Sequence, residues 1–377
     1  MRKTLYSLAL LLLAGMTSCI QDEAPNAECD LLRVVVHTPK PSEVFYSLND
    51  TIKEVSTSES KVVFKVRETA DLSKLSFEFE LTEGATIDTI SELVGGETLL
   101  LATTKSEDKK WNKQYSIRFK TFACWDGHEG FENIELFNEK GVDKYYVWKQ
   151  GNDAEFWATG NPGYKLSRGS AKPADYPTVS AEGYDGKGVQ LITCSTGSFG
   201  AMVGMPIAAG NLFVGSFDVS NALQDAMAAT VFGVPFQLKP YKVKFMAKYK
   251  AGDVYKDKSG KVVDKKDKPD FYAVLYRNTD SNGQPVLLHG DDGKTNPNIV
   301  AYAFISDDDI AKLSEDEWKE VSIPFTYTKE VSDDLLAEFG YNIAVVFSSS
   351  VEGGVFSGAV GSTFSVDELK LVFDDKE

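Results

Sequence analysis

The stretch from Trp148 to Leu166, WKQGNDAEFWATGNPGYKL, has the residue types of a site that binds carbohydrate. Its aromatic side chains can stack on the C–H faces of sugar rings, and the amides between them can bind hydroxyl groups. The first candidates for glycan contacts are therefore Trp157, Asn161 and Tyr164. The alternative for Trp157 is a place in the hydrophobic core, with the neighbouring glycines forming turns.

Two strand-like segments further along the chain supply the other glycan-binding candidates. Tyr249 lies in FMAKYKAG and Arg277 lies in VLYRNTD. Successive side chains of a strand point to opposite faces of its sheet. This alternation groups Tyr272, Val274 and Tyr276 on one face and Phe271, Ala273, Leu275 and Arg277 on the other. Either face could be the concave one.

A second kind of chemistry, glycoside hydrolysis, requires two carboxyl groups roughly 5 to 9.5 Å apart across a cleft. Glu155 and one further acid are the candidates for that pair. The chain has no E-x-D-x-x-E run, which would place three acids on one face of a jelly roll. CSTGSFG lacks the G-x-S-x-G form and gives no support to serine hydrolysis. Gly293-Lys294-Thr295 does not end a phosphate-binding loop, because Leu288 stands where that loop needs glycine.

The elements that must position these residues are mainly β-strands. Residues 28–122 show about seven short strand patterns, some strictly alternating as in Phe77-Glu78-Phe79-Glu80, which is typical of an immunoglobulin-like sandwich. We interpret this domain as a spacer. Residues 123–377 contain longer strands and denser glycines, which predicts a jelly-roll β-sandwich and an all-β chain. Short helices are expected only from Asn221 to Ala229 and, after the N-cap Ser332, from Asp333 to Phe339 with Gly340 as C-cap.

The beginning of the chain reads as an export signal. Arg2 and Lys3 precede a short apolar stretch, too short for the roughly 20 residues that span a bilayer. Met16-Thr17-Ser18-Cys19 resembles a bacterial lipobox, so residues 1–18 are predicted to be a cleaved lipoprotein signal peptide with Cys19 lipidated. An ordinary signal peptide with an incidental cysteine is the alternative.

Residues 19–27 are predicted to be a linker, and its sequence also bears on location. Gln21-Asp22-Glu23 resembles the surface-export signal of Bacteroidetes lipoproteins, although a solvated linker would look similar. The prediction is a protein anchored to the outer membrane by lipid and facing the cell exterior.

Net charge and cysteine content exclude some classes of protein. The formal charge is −16, which argues against nucleic acid as a partner, because phosphate binding needs clustered Lys and Arg. With Cys19 lipidated, Cys29, Cys124 and Cys194 remain, and an odd number cannot pair completely. Cys29 and Cys124 could pair, but no essential disulfide is predicted. Three histidines and no C-x-x-C make a zinc site unexpected.

Several motifs occur in the order found in a known family. FWATGNPGY, GYDGKGVQLIT, PIAAGNLFVGSF, FGVPFQLKPYKVKFMAKYKAG and FSVDELKLVF resemble the putative carbohydrate metabolism domain of Bacteroidetes lipoproteins. The resemblance runs from about Cys124 to Phe373. It implies a C-terminal jelly roll similar to carbohydrate-binding modules and glycosidase-like sandwiches, preceded by an immunoglobulin-like domain. It carries over no catalytic residues.

An analogy with sugar-binding jelly rolls suggests a structural calcium ion. In many of them an early Glu and a last-strand Asp share Ca²⁺, and hard oxygen ligands suit that ion. Glu132 in GFENIEL and Asp367 in FSVDELKLVF are the corresponding candidates. Ordinary surface charge on two neighbouring strands is the competing interpretation.

Three functions remain open from the sequence. The leading hypothesis is a cell-surface lipoprotein that binds a polysaccharide or oligosaccharide through its jelly roll, without catalysis. The second is a glycoside hydrolase that uses two carboxylates of the same jelly roll and would show an acid with a raised pKa in a cleft. The third is a structural adhesin that binds protein, marked by a long exposed edge strand or a large apolar patch.

Overall fold

The protein is all-β, as the strand patterns predict, and its contacts divide it into two compact units. The computed structural model describes residues 25–46, 48–57, 60–67, 70–94, 97–121, 125–150, 156–219 and 222–374. The first unit comprises Met1–His37, Ile52–Phe64 and Leu75–Lys120, and the second comprises Thr38–Thr51, Lys65–Lys74 and Thr121–Glu377. In the described part of the chain, no helix has the length and apolar character needed to cross a membrane.

In the residues that the structure describes, the first unit forms a β-sandwich of seven strands. Its strands are β1 Leu31–His37, β2 Ile52–Glu54, β3 Lys61–Val66, β4 Ser76–Leu81, β5 Thr86–Val94, β6 Glu97–Lys105 and β7 Asn112–Thr121. They form one sheet of order β2-β1-β4 and another of order β3-β7-β6-β5. The two sheets face each other across aromatic rings, with Phe77 of β4 5.9 Å from Phe119 of β7. The predicted number of strands and the immunoglobulin-like sandwich are confirmed.

The second unit contains the remaining strands and the helices. Its strands are β8 His128–Glu129, β9 Ile134–Glu139, β10 Val142–Trp148, β11 Trp157–Ala158, β12 Thr178–Glu182, β13 Lys187–Ile192, β14 Cys194–Ser195, β15 Ile207–Ala208, β16 Asn211–Phe217, β17 Thr230–Phe232, β18 Val234–Phe236, β19 Lys242–Lys250, β20 Tyr255–Lys256, β21 Asp270–Arg277, β22 Ile299–Phe304, β23 Lys319–Pro324, β24 Thr326–Tyr327, β25 Tyr341–Ser348, β26 Gly358–Ala359 and β27 Thr363–Val372. Its α-helices are α1 Pro41–Val44, α2 Asn161–Ser167, α3 Gly197–Met202, α4 Asp307–Ile310 and α5 Asp333–Ala337. Single 3-10 turns occur at Leu48–Thr51, Leu72–Lys74, Pro173–Asp175 and Gly353–Val355.

Two large antiparallel sheets make up the jelly roll of the second unit. One sheet has the order β11-β16-β25-β21-β22-β24, with β17 on β16 and β18 on β25. The other has the order β12-β13-β27-β19-β23, with β8 on β27. Their inner faces share one hydrophobic core. In it the ring centroids of Phe271 and Phe245 are 4.5 Å apart, and those of Phe347 and Phe364 are 6.2 Å apart.

The outer face of the eight-stranded sheet is also apolar. Phe271, Ala273 and Leu275 of β21 enter the inter-sheet core. Tyr272, Val274 and Tyr276 point the other way and pack with side chains of β16 and β25 and with the loops that cover this face. The predicted alternation along β21 is therefore confirmed, and the face that carries Tyr272 is the one closed by loops.

Local predictions had mixed outcomes. Ser332 caps α5 as expected, accepting a hydrogen bond from the Leu335 N–H at 3.3 Å. The left-handed residue after that helix is Phe339, with φ of 57°, where Gly340 was expected. The predicted helix from Asn221 to Ala229 is wrong over its described part, residues 222–229, which forms turns. Within them the Asp225 carboxylate accepts hydrogen bonds from the Met227 and Ala228 N–H groups, a local pattern that competes with a continuous helix. Cys29 and Cys194 are both free thiols, whereas Cys19 and Cys124 lie outside the described residues.

Candidate functional site

A cleft of about 480 Å³ lies on the outer face of the eight-stranded sheet. Its floor is formed by alternate residues of three adjacent strands: Phe213 of β16, Tyr272 of β21 and Val346 of β25. The same alternation brings Asp270 and Ser348, which pair across β21 and β25, to this face. The volume is within the range of sites that hold small ligands.

A charged pair lies at one end of this floor. The ammonium nitrogen of Lys294 is 2.7 Å from each carboxylate oxygen of Asp270. The side chains are 35% and 15% exposed, respectively, so the pair is shielded yet reachable from the cleft. The ammonium also lies 4.9 Å from the ring centroid of Tyr272 and 5.5 Å from that of Phe304. The Asp270 carboxylate and the Lys294 ammonium thus form a compact ion pair, and the ammonium lies beside the rings of Tyr272 and Phe304.

The loop between β21 and β22 places Lys294 over β21. Its turn is closed by a backbone hydrogen bond of 2.9 Å from the Gly293 N–H to the His289 carbonyl. Glycine is required at position 293 because a Cβ there would lie 2.7 Å from the Tyr272 hydroxyl oxygen. This close approach brings the loop against β21, and the contacts with Asp270 hold the Lys294 side chain there.

Aromatic rings cross the outer face of the sheet in a continuous row. Centroid distances are 5.0 Å for Phe213 and Phe232, 6.2 Å for Phe232 and Tyr272, 6.2 Å for Tyr272 and Phe304, and 4.5 Å for Phe304 and Tyr302. Phe304 and Tyr302 are stacked and only half-buried. Burial, followed by the charges of Asp270 and Asp292, raises the pKa of Tyr272, so its hydroxyl remains a proton donor. Of this row, Phe213, Phe232 and Tyr272 line the cleft, whereas Phe304 and Tyr302 lie beside it. The half-buried ring of Phe217 also lines the cleft, and such a ring next to hydrogen-bonding groups suits the packing of a sugar ring.

The walls of the cleft are mainly apolar and rich in glycine. Met227 lies against Gly290 and Gly354, where an added Cβ would come within 2.7 and 2.9 Å of its side chain. Phe217 lies against Gly163 of α2, where an added Cβ would be 3.1 Å from the ring. Because these glycines have no side chains, Met227 and Phe217 can pack against them and form part of the cleft walls.

Two further carboxylates, Asp291 and Glu352, line the cleft. Glu352 binds the Lys265 ammonium and accepts a hydrogen bond from the Tyr255 hydroxyl. These two contacts lower the pKa of Glu352. Glu352 therefore remains ionised and is already engaged by protein groups.

Trp157, the first sequence candidate for a glycan contact, is a core residue. Its side chain is 3% exposed, and its indole N–H donates a hydrogen bond of 2.9 Å to Glu129 Oε2. The rings of Phe131 and Phe156 lie 5.3 and 5.6 Å away and cover it. Stacking on a sugar requires an open ring face, so Trp157 is withdrawn as a glycan contact.

Asn161 and Tyr164 both belong to α2, but only Tyr164 lines the cleft. Asn161 is fully buried, and its amide both donates to the Thr178 carbonyl at 2.8 Å and accepts from the Thr178 N–H at 3.1 Å. It therefore anchors α2 to β12 and cannot bind a ligand. Tyr164 is 6% exposed and donates to the Ser195 carbonyl at 3.2 Å, which makes it part of the wall.

Tyr249 and Arg277 lie away from the cleft. Tyr249 belongs to β19 in the six-stranded sheet and packs against Phe364 at 6.2 Å. Arg277 is exposed at the end of β21 opposite to Asp270. The structure therefore does not bring these two candidates together with Tyr164.

Glu132 and Asp367 both bind the hairpin between β12 and β13. The hairpin presents N–H groups to their carboxylates, and this arrangement does not fit a calcium ion. Asp367 Oδ2 accepts the Tyr184 and Asp185 N–H groups at 2.7 and 3.1 Å, and Glu132 Oε1 accepts the Lys187 N–H at 2.7 Å. Calcium needs six to eight oxygen ligands, whereas N–H groups occupy these oxygens. Within the described ranges, no three His, Cys, Asp or Glu side chains form a group that could hold a metal.

Glu155, the acid named for hydrolysis, and Cys19 lie outside the described residues. The residues that sequence reasoning missed are Asp270 and Lys294. The alternation along β21 was the signal for Asp270, since this residue has the same parity as Tyr272. Lys294 stood in a motif rejected for phosphate binding, and nothing in its local sequence joins it to a residue 24 positions earlier.

Comparisons with known proteins agree with a carbohydrate-related role. The model of the family described as putative carbohydrate metabolism domain matches residues 130–372. A crystal structure of a putative glycoside hydrolase from Bacteroides thetaiotaomicron is 35% identical, with 94% of this chain and 100% of that chain covered and a TM-score of 0.74. A second, from Bacteroides vulgatus, is 37% identical, with 66% of this chain and 98% of that chain covered and a TM-score of 0.59. No curated protein matches the chain.

Proposed function

The chain belongs to the putative carbohydrate metabolism domain family, and from this premise we propose that it binds a saccharide in the cleft without hydrolysing it. The observation that carries this proposal is the Asp270–Lys294 pair in a cleft that is also lined by the half-buried ring of Phe217. Carboxylate and ammonium groups exchange hydrogen bonds with sugar hydroxyls, and an aromatic ring that lines the cleft can pack against the C–H face of the sugar.

The pair retains hydrogen-bonding capacity for a ligand. A carboxylate has about four acceptor sites and an ammonium has three donors. Lys294 makes one contact with each oxygen of Asp270, which leaves acceptor sites on Asp270 for hydroxyl donors. Neighbouring hydroxyls of one sugar could therefore bind the two oxygens together, which favours a saccharide over a ligand with a single polar group.

Glycoside hydrolysis is the second candidate, because both similar crystal structures are described as putative glycoside hydrolases and three carboxylates line the cleft. A glycosidase needs one carboxyl with a raised pKa as its acid. Burial raises the pKa of Glu129 and Asp367, but these carboxyls bind protein groups away from the cleft. Asp270 is paired with Lys294, and the pKa of Glu352 is lowered. These contacts support binding over hydrolysis.

The proposed location follows from the first residues of the sequence. Cys19 would carry lipid, anchor the chain in the outer membrane and leave the cleft facing the cell exterior. The protein would then capture polysaccharide or oligosaccharide at the cell surface. Mass spectrometry of the membrane fraction tests this proposal, since an unmodified N-terminus would contradict it.

Retention and hydrolysis are tested together with the mature chain carrying Cys19→Ser, so that no lipid is attached. The protein is incubated with plant and host polysaccharides, and bound protein and released reducing ends are measured in the same tubes. We expect retention without release. Asp270→Asn and Lys294→Met should each weaken retention at least about tenfold, as loss of a hydrogen bond to a charged group costs roughly 1.5–3 kcal/mol.

The matched control is Lys319→Met, which removes the cation of an exposed ion pair with Glu317 elsewhere on the second unit. It should leave retention unchanged. Release of reducing ends that Asp270→Asn abolishes would make hydrolysis the function. Equal loss of retention in Lys319→Met and Lys294→Met would show a general charge effect and contradict the proposed site.

A further inference from the structure

The mouth of the cleft exposes large apolar side chains from three separate segments. Phe199 and Val203 come from α3 and the residue after it, Leu223 from the turn that follows β16, and Val351 and Val355 from the loop after β25. They are 42%, 44%, 49%, 41% and 49% exposed, respectively. All five also line the cleft. Contiguous exposed apolar surface is uncommon on soluble proteins and marks a binding surface.

The interior continues this apolar surface towards the charged pair. Met205, Ile207, Phe217, Ala226 and Met227 also line the cleft. The hydroxyls of Thr196 and Ser350, which line it too, already donate to the Met205 carbonyl and to Asp267. Methionine is flexible and polarisable, and it adapts to apolar ligands of varied shape. The cleft therefore has two chemically different parts: an ionic and aromatic end at Asp270 and Lys294, and an apolar channel that opens to solvent.

We propose that the ligand of this site is an amphipathic saccharide, in which a sugar carries an alkyl, acyl or other apolar substituent. This inference rests on the proposed saccharide site at Asp270 and Lys294 and adds the substituent. A polyhydroxylated chain running through the channel would place hydroxyls against apolar walls, and each unpaired hydroxyl buried there costs free energy. An apolar substituent instead covers the exposed mouth residues and gains the free energy of their burial.

The shape of the cleft sets the order of the two parts of the ligand. The charged pair is at the strand floor, where Tyr272 and Phe304 flank it. The mouth residues come from the covering segments. The sugar therefore enters first and binds the floor, while the substituent follows and packs between α3, Leu223 and Val355.

The test uses the full mature chain with Cys19→Ser and measures binding by calorimetry below the concentration at which each probe forms micelles. The probes are methyl, butyl, hexyl and octyl glycosides of glucose, mannose and galactose, with octanol as the control without sugar. For the sugar that fits, we expect affinity to rise about threefold to fourfold for each added CH₂ that is buried. Octanol should bind far more weakly than the octyl glycoside.

Two groups of variants separate the parts of the site. Leu223→Ser and Val355→Ser should flatten the rise with chain length, so that they lower the affinity for the octyl glycoside much more than the affinity for the methyl glycoside. Asp270→Asn should lower the affinity for all glycosides of that sugar by a similar factor and leave the rise with chain length intact. Both mouth residues are partly exposed, so these substitutions should not impair folding.

The outcomes distinguish this inference from the proposed function. If polysaccharides are retained but octyl glycosides bind no better than methyl glycosides, the amphipathic ligand is wrong and the saccharide site stands. If octanol binds as well as the octyl glycosides, the sugar contributes nothing and both proposals fail. If neither the polysaccharides nor any glycoside binds, both fail, and the exposed mouth is then better explained as a contact for a protein partner.

Discussion

Lys294 places its ammonium 2.7 Å from both carboxylate oxygens of Asp270, although the two residues stand 24 positions apart in the sequence. Asp270 begins a central strand, and Lys294 belongs to the loop that follows that strand. The loop is held down where Gly293 meets the Tyr272 hydroxyl. The sheet therefore fixes Asp270, and the loop packed against it positions Lys294, which gives the defined placement that a specific binding site needs.

The Asp270–Lys294 pair should contribute to stability as well as to binding. In a double-mutant cycle with Asp270→Asn and Lys294→Met, we expect a coupling free energy of about 1–2 kcal/mol, because both side chains are partly shielded from water. Urea unfolding followed by tryptophan fluorescence measures it, since four of the five tryptophans lie in the second unit. The same cycle at Glu317 and Lys319, 72% and 40% exposed, should give less than about 0.5 kcal/mol. Equal coupling in the two cycles would contradict the special placement of Lys294.

Trp157 should matter for stability and not for contact with a glycan. Trp157→Phe removes the indole N–H that Glu129 Oε2 accepts, and a buried carboxylate that loses a donor costs about 1–3 kcal/mol. Urea unfolding should show this loss, while retention per folded molecule stays at the parent value. Trp111→Phe, at a position 61% exposed, should change the free energy of unfolding by less than about 0.5 kcal/mol. A fully stable Trp157→Phe protein that no longer binds glycan would restore Trp157 as a contact.

Asp367 should make stability depend on pH in a direction opposite to that of an ion-paired carboxylate. Burial raises its pKa above the ordinary value of 3.8, so the folded chain holds this proton more tightly than the unfolded chain. The contribution of Asp367 to the free energy of unfolding therefore falls as the pH rises from about 3.8, the ordinary pKa, through the raised pKa of the folded state.

Asp367→Asn removes that titration, and comparison with the parent isolates it. The variant loses an acceptor for a backbone N–H and should be less stable at about pH 4, but its deficit should shrink towards about pH 7. Urea unfolding at intermediate pH values measures the trend. Asp316→Asn, an exposed carboxyl, serves as the reference and should show no such trend. A deficit that grows with pH would mean that the ionised form of Asp367 is the favoured one.

The Cys194 thiol should be nearly inert in the folded protein. Burial raises its pKa from 9.0 to about 11, so at about pH 8 roughly 0.1% is thiolate, which is about a hundredfold less than at the ordinary pKa. Reaction with an aromatic disulfide reagent should be correspondingly slow in mature chain carrying Cys19→Ser, Cys29→Ala and Cys124→Ser, in which Cys194 is the one remaining thiol. Concentrated urea should restore the rate of an ordinary thiol. A fast-reacting site in the folded chain would place Cys194 at the surface.

The sequence predicts best those features that depend on local periodicity. Alternation along β21 gives the two faces of that strand because the side-chain period of a strand is fixed at two. Ser332 predicts the start of α5 because an N-cap acts on N–H groups within three residues. These are short-range effects that neighbouring residues decide.

Features that depend on contacts between residues distant in the sequence could not be predicted in this way. Trp157 and Asn161 have the residue types of a sugar site, but Phe131 covers Trp157 and Thr178 binds the amide of Asn161, and both of these partners are distant in the sequence. Glu132 and Asp367 bind the same hairpin, but their partners there are backbone N–H groups, which residue types do not reveal. The Asp270–Lys294 contact requires a loop conformation that Gly293 permits but does not reveal.

The strand β27 lies between β13 and β19 in the six-stranded sheet, although it is the last of these strands to be synthesised. Before it emerges, β13 can pair with β12 and β19 with β23, but each of the two halves presents an open edge. Insertion of β27, with Val366 opposite Val189 and Ala247, joins the halves. Completion of this sheet must therefore follow translation of residues 363–372, and chains that stop earlier would expose two edges on which other chains can add strands.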